Sequence, residues 1–158
     1  MKFSRVILIT TIVLTACDDS RVFERNVDFE TRSWRVADKP QFEFEIDRTD
    51  VPYNLYCNFR NEEAFPFARF FYKYYLLDST GIELSNALSG EFLFDAKTGK
   101  PFGQSGLGDI YYHQFLVLKD FRFNRPGKYV MRLEQFSTDD TLEGILSAGV
   151  RVERADID

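Results

Sequence analysis

The residues of this chain whose types and spacing suit chemistry are two pairs of adjacent carboxylates, a lone histidine and an Arg-Asn step before a pair of phenylalanines. Glu62-Glu63 and Asp139-Asp140 invite the comparison with glycoside hydrolysis. That reaction needs two carboxylates facing each other across a cleft, whereas neighbours on an extended chain point to opposite faces. Both pairs lie in turn-like stretches where acidic residues are ordinarily solvated, and neither has the alternating Asp-x-Asp spacing of a calcium loop. His113 has no second histidine to join it in a metal site, which favours a surface or hydrogen-bonded role over a catalytic base. The chain contains no Gly-x-Ser-x-Gly elbow, Walker loop or His-Glu-x-x-His. Gly103-Gln104-Ser105-Gly106-Leu107-Gly108 lacks both the spacing and the strand–turn–helix setting of a dinucleotide fingerprint. No catalytic residue, metal or cofactor is expected.

The more suggestive group is Arg60-Asn61 followed by Phe65-Pro66-Phe67. An arginine and an asparagine at a strand end can tie down a loop by donating to backbone carbonyls. The alternative is a polar floor beside an aromatic wall of Phe65 and Phe67, which is the chemistry of sugar or peptide recognition.

Cys17 is the other reactive position. Lys2 and Arg5 precede an apolar run from Val6 to Ala16, and Leu14-Thr15-Ala16-Cys17 closes it, as in a secretion signal with a cysteine where cleavage falls. At a helical rise of ~1.5 Å per residue the run covers about half of a ~30 Å hydrocarbon core, too little for a stable span. The order Leu, small polar, small, Cys resembles the bacterial lipoprotein box, in which the thiol is acylated and the chain is cut just before it. The competing reading is an ordinary signal peptide whose Cys17 joins Cys57 in a disulfide. Lipidation predicts a signal over residues 1–16 and a single lipid-anchored domain over 17–158. That domain is tethered to a cell-envelope membrane, either the outer membrane or the periplasmic face of the inner one, without spanning it.

Those positions must be held by a sheet. Of the 20 basic and 25 acidic residues, the signal removes two basic ones and no acidic ones, which leaves a net charge of −7. Such a balance argues against nucleic acid as a partner and against adhesion to anionic lipid through charge alone. Aromatic residues make up 16% of the chain, with 17 Phe and 8 Tyr, and they cluster with β-branched residues in short runs. This is sheet composition. Arg21 to Phe29 reads as an edge strand, and Trp34 as a core anchor. Phe42, Phe44 and Ile46 alternate with Glu43 and Glu45. Tyr53 to Arg60 places Cys57 on its apolar side as an inert thiol. The run from Phe70 to Leu77 is apolar or aromatic on both parities. It suggests a central strand covered on both faces, or one whose outer face meets a partner. Ile82 to Leu88, Tyr111 to Leu118, Tyr129 to Leu133 and Leu146 to Glu153 supply further strands. The stretch from Ser89 to Gly108 reads as the longest irregular segment, and Asp139 to Gly144 as a turn or one helical turn. Seven to nine short strands without a long helix predict an all-β, single-domain antiparallel β-sandwich, jelly-roll-like or immunoglobulin-like.

In their order and spacing these pieces resemble the gliding motility lipoprotein GldH family of the Bacteroidota. The resemblance runs through Cys17, Phe42-Glu43-Phe44-Glu45-Ile46, Arg60-Asn61 with Phe65-Pro66-Phe67, Ser105-Gly106-Leu107-Gly108-Asp109-Ile110, Leu142-Glu143-Gly144-Ile145 and Gly149-Val150-Arg151-Val152. It implies a non-enzymatic envelope lipoprotein of the gliding machinery, associated with type IX protein secretion and partnered by other envelope proteins of those systems. The chain departs from the family pattern at Ala68-Arg69, and its middle loop through Asp95 to Lys100 is longer.

Overall fold

The computed structural model describes residues 20–155; the signal assigned to residues 1–16 and the acylation site Cys17 lie outside the described residues. Eleven strands occur among the described residues. They are β1 (Arg21–Asp28), β2 (Ser33–Arg35), β3 (Gln41–Ile46), β4 (Tyr53–Glu62), β5 (Arg69–Asp78), β6 (Glu83–Phe92), β7 (Gln104–Ser105), β8 (Ile110–Phe121), β9 (Gly127–Gln135), β10 (Thr141–Glu143) and β11 (Ile145–Arg154). One sheet has the order β1-β11-β4-β8-β7, a second has β3-β9-β5-β6, and β10 pairs with β2 in a small ribbon. All pairings are antiparallel. With the two- and three-residue strands set aside, β1-β11-β4-β8 facing β3-β9-β5-β6 is the strand order of a jelly roll, two Greek keys wound together. Of the two sandwich forms expected from the sequence, this is the one adopted.

Period-two patterning places the core. Phe42, Phe44 and Ile46 of β3, and Tyr53, Leu55, Cys57 and Phe59 of β4, are all buried, as alternation on a pleated strand requires. Phe59 joins the sheets: its ring centroid lies 4.9 Å from Phe70 and 4.6 Å from Tyr72. Trp34 is fully buried as expected, between Phe29 and Phe59, and its indole N–H donates to the Asp38 carbonyl at 2.7 Å.

Four expectations change. The β4 strand runs on to Glu62, so the turn expected from Arg60 to Ala64 starts later. The segment expected to be irregular from Ser89 begins only after Phe92, because β6 pairs with β5 up to Arg69↔Phe92. The run from Phe70 to Leu77 is not covered on both sides. Phe70, Tyr72, Tyr74 and Leu76 face the core, while Phe71 on the other parity is 39% exposed. Asp139 to Gly144 contains a strand, β10, in place of a helical turn, because Leu142 pairs with Trp34 and is buried.

The two ends of the sandwich differ. Ser20 accepts the Arg154 N–H, and the rows Arg21↔Glu153, Arg154↔Tyr53 and Tyr53↔Phe121 set the start of the domain beside the β3–β4, β5–β6 and β8–β9 turns. The opposite end carries the longer connections that contain β2, β7 and β10.

Candidate functional site

Arg60 and Asn61 are adjacent in β4 and so project to opposite sides of their sheet. Arg60 reaches over the outer face, donating to Ser147 Oγ at 2.9 Å and pairing with the Asp28 carboxylate, and thereby ties β4 to β11 and β1. Asn61 points inward, is fully buried, and donates to the Glu62 carbonyl at 2.9 Å. The two side chains share no pocket floor. Glu62 pairs with Arg32, and the Glu63 N–H donates to the Asp109 carbonyl. No group of three His, Cys, Asp or Glu side chains among the described residues is arranged to hold a metal ion.

Phe65 and Phe67 also divide. Phe65 is buried, and its neighbour two residues on, 44% exposed, meets it edge to face at 5.6 Å. Phe67 opens a groove of about 600 Å³ on the outer face of the second sheet, lined by Phe67, Arg69, Phe71, Leu88, Phe136 and the 137–139 loop. Local sequence makes this groove. Outward parity on β5 and β6 carries Phe71 opposite Gly90 and Lys73 opposite Leu88, and the Phe136 N–H donates to the Phe71 carbonyl at 2.9 Å, which lays its ring beside them. Leu88 is 51% and Phe136 58% exposed. Contiguous exposed apolar surfaces of this kind are uncommon on the faces of monomeric domains.

Arg69 organises the groove's polar side. Its guanidinium stands 4.8 Å from the Phe71 ring centroid and 5.1 Å from that of Phe92, and it donates to the Gly90 carbonyl at 3.0 Å. Stacking between rings removes rotamer freedom, so the remaining donors are pre-aimed. Sequence reasoning passed over Arg69, noting it only as a departure from the family pattern. The available signal was a cation at the start of an aromatic strand with Phe on the same parity two residues on.

Two buried titratable groups, His113 and Cys57, and the half-buried Glu91 have shifted pKa values. His113 was expected at the surface or hydrogen-bonded. It is 5% exposed, its buried Nε2 has no hydrogen-bond partner, and burial pulls its pKa down to about 4. Cys57 is fully buried and its thiol is pushed up by burial, as its apolar parity implied. Glu91 faces inward from β6 opposite Phe70, and desolvation raises its pKa against the partial relief offered by Arg69.

The outer face of the first sheet is a closed polar network. Glu24 accepts from Asn58 at 3.3 Å and from Arg151 at 3.2 Å, Gln114 donates to Asn58 at 3.0 Å, and Tyr56 donates to Glu153 at 2.5 Å. Burial and the Glu153 carboxylate push the Tyr56 phenol up to about 12. These groups satisfy one another, so this face is less suited to a ligand than the aromatic one.

The described residues form an antiparallel jelly-roll β-sandwich with a closed polar network on one outer face and an exposed aromatic groove on the other. The family model described as GldH lipoprotein matches residues 21–152, and the chain belongs to that family. It is 26% identical over 163 residues to the gliding motility lipoprotein GldH of Flavobacterium johnsoniae, with 99% of each chain covered. A crystal structure of the infectious bursal disease virus VP2 subviral particle aligns at 11% identity and a TM-score of 0.41, over 94% of this chain and 42% of that one.

Proposed function

We propose that the protein is a non-enzymatic accessory of the gliding machinery and of the type IX secretion pathway, tethered through an acylated Cys17 to an envelope membrane after removal of residues 1–16. It acts by holding an extended segment of another envelope protein in the aromatic groove. The observation that carries this reading is Arg69, fixed between Phe71 and Phe92, coupled to Glu91 only through space and in no ion pair among the described residues, beside exposed Phe67, Leu88 and Phe136. An occupant with apolar side chains flanking a carboxylate complements that surface in both shape and charge. The groove borders β6, the last strand of its sheet, whose free edge offers backbone groups to an added strand. Family membership and the gliding motility relative support the same setting.

The glycan-binding alternative began from the Arg60–Asn61 corner. Arg60 there is committed to Asp28 and Ser147, which favours the groove over that corner. Deleting the gene tests the cellular role: colony spreading and the level of secreted protein should both fall, and normal values of both overturn the proposal. Restoring the gene as Arg69→Gln tests the groove, which predicts normal protein abundance with spreading and secretion still impaired.

A further inference from the structure

The net acidity of the chain hides a local exception at the end where the domain begins. The β8–β9 turn places Arg122 and Arg125 around a second groove, of about 560 Å³, whose apolar wall is Ile82, Leu84 and Phe121. Ile82 is 62% and Leu84 42% exposed. Three other cations at this end are taken: Arg48 by Asp50, Lys128 by Glu43 and Arg154 by Asp47. Arg122 holds only the Asp50 carbonyl at 3.4 Å, and the Arg125 guanidinium has no hydrogen-bond or ion-pair partner among the described residues. The acid in the groove, Asp78, is turned back on its own turn, accepting from the Thr80 and Ile82 N–H groups and from the Thr80 hydroxyl.

The position of the tether says what covers this groove. Ser20 is bound to Arg154, in the row that leads through Tyr53 to Phe121. Only Asp18 and Asp19 separate Ser20 from Cys17, so the acylated residue is held within about 11 Å of Ser20 by chain length alone. Acyl chains entering a bilayer there bring the headgroup layer to this end of the sandwich. Two guanidiniums without carboxylate partners among the described residues, above exposed Ile82 and Leu84, match an anionic phosphate over the acyl boundary.

We propose that the groove formed by Arg122, Arg125, Ile82 and Leu84 seats the headgroup of an anionic phospholipid. The seat fixes the domain's orientation on its membrane and points the aromatic groove away from the bilayer. The inference rests on the tether reading, but its test does not use the tether. The described strands close their own core within residues 20–155, so a chain beginning at residue 18 suffices. This chain is floated with vesicles of phosphatidylethanolamine alone and with vesicles containing about 30 mol % phosphatidylglycerol at low salt. Flotation with the anionic vesicles only is expected. The Arg122→Gln/Arg125→Gln double variant, unchanged in its melting curve because both side chains are exposed, should float about 30-fold less well. Equal flotation of parent and double variant, or no flotation of the parent with anionic vesicles, overturns the headgroup site. Failure of the tether reading shows separately, as Cys17→Ser protein that stays in the membrane fraction of cells.

Discussion

Gly90 and Phe71 face each other across β5 and β6, and a Cβ built on Gly90 would fall 2.5 Å from Phe71 Cε1 and 2.7 Å from the Arg69 guanidinium. The absent side chain is therefore what lets the Phe71 ring lie flat on the sheet and the arginine stack beside it. Gly90→Ala keeps an ordinary strand conformation but must push the ring and guanidinium into the groove. Stability should change by no more than about 1 kcal/mol, because both displaced groups are flexible and partly solvated. Spreading should fall toward the level of Arg69→Gln. Thermal melting beside a spreading assay reads both, and a normal spreading rate would show that the groove's shape does not matter.

Gly149 presents the opposite case, on the closed polar face. A Cβ there would lie 1.8 Å from Asn26 Oδ1 and 2.7 Å from the Arg25 carbonyl, and the second of these is backbone that cannot rotate away. Gly149→Ala must separate β1 from β11 along the register Arg25↔Val150 and Asn26↔Gly149. A loss of about 2–3 kcal/mol is expected, at the upper end for overpacking. Denaturant titration measures it, with the slope unchanged if only the native state is affected.

The contrast between these two glycines shows what the sequence could and could not reveal. Burial parity was legible in Phe42-Glu43-Phe44-Glu45-Ile46 and in Tyr53 to Arg60, because a half-buried strand writes its faces into alternation. Eight of the strands and the sandwich itself followed from such runs. The jelly-roll order did not, because it is set by which strands meet across the core, as Phe59 meets Phe70 and Tyr72. Arg60 and Asn61 looked like a site because sequence neighbours are easy to group, whereas the pleat separates them. Phe67 was legible as exposed chemistry only in part: the groove it opens needs Leu88 from β6 and Phe136 just past β9, both more than twenty residues further along the chain.

Cys57 should be silent toward thiol reagents in the folded protein. It is fully buried on β4, and desolvation pushes its thiol well above the ordinary range, so the reactive thiolate is scarce. Iodoacetamide labelling at pH 8 should proceed only after addition of denaturant. Rapid labelling of the native chain would mean that the sheets open beside Phe59 and Tyr72.

Glu91 should cost stability at neutral pH. Desolvation raises its pKa, so the folded state resists the ionisation that the unfolded chain undergoes freely, and stability from this group declines as pH rises through its ordinary titration range. Glu91→Gln should melt higher than the parent at pH 7, with the difference shrinking toward pH 4. A variant that melts lower at pH 7 would mean that attraction to Arg69 outweighs burial.

His113 acts in the reverse direction. Its ring stacks on Phe115 at 5.8 Å, its Nε2 is sealed without a partner, and burial holds its pKa at about 4, against an ordinary value of 6.5. Above about pH 6.5 the imidazole is neutral in both states and contributes no pH dependence. Between pH 6.5 and about 4 the unfolded chain takes up a proton that the folded chain refuses, so stability falls with falling pH, by on the order of 2–3 kcal/mol across the window. Below about pH 4 both states are protonated and the loss levels off. His113→Phe removes this titration while keeping an apolar ring against Phe115. Its stability should match or exceed the parent's at pH 7, and the gap in its favour should widen as pH falls to 4.5. Urea titrations of both proteins across that range measure the difference, and parallel curves would mean that His113 is solvated or hydrogen-bonded in solution.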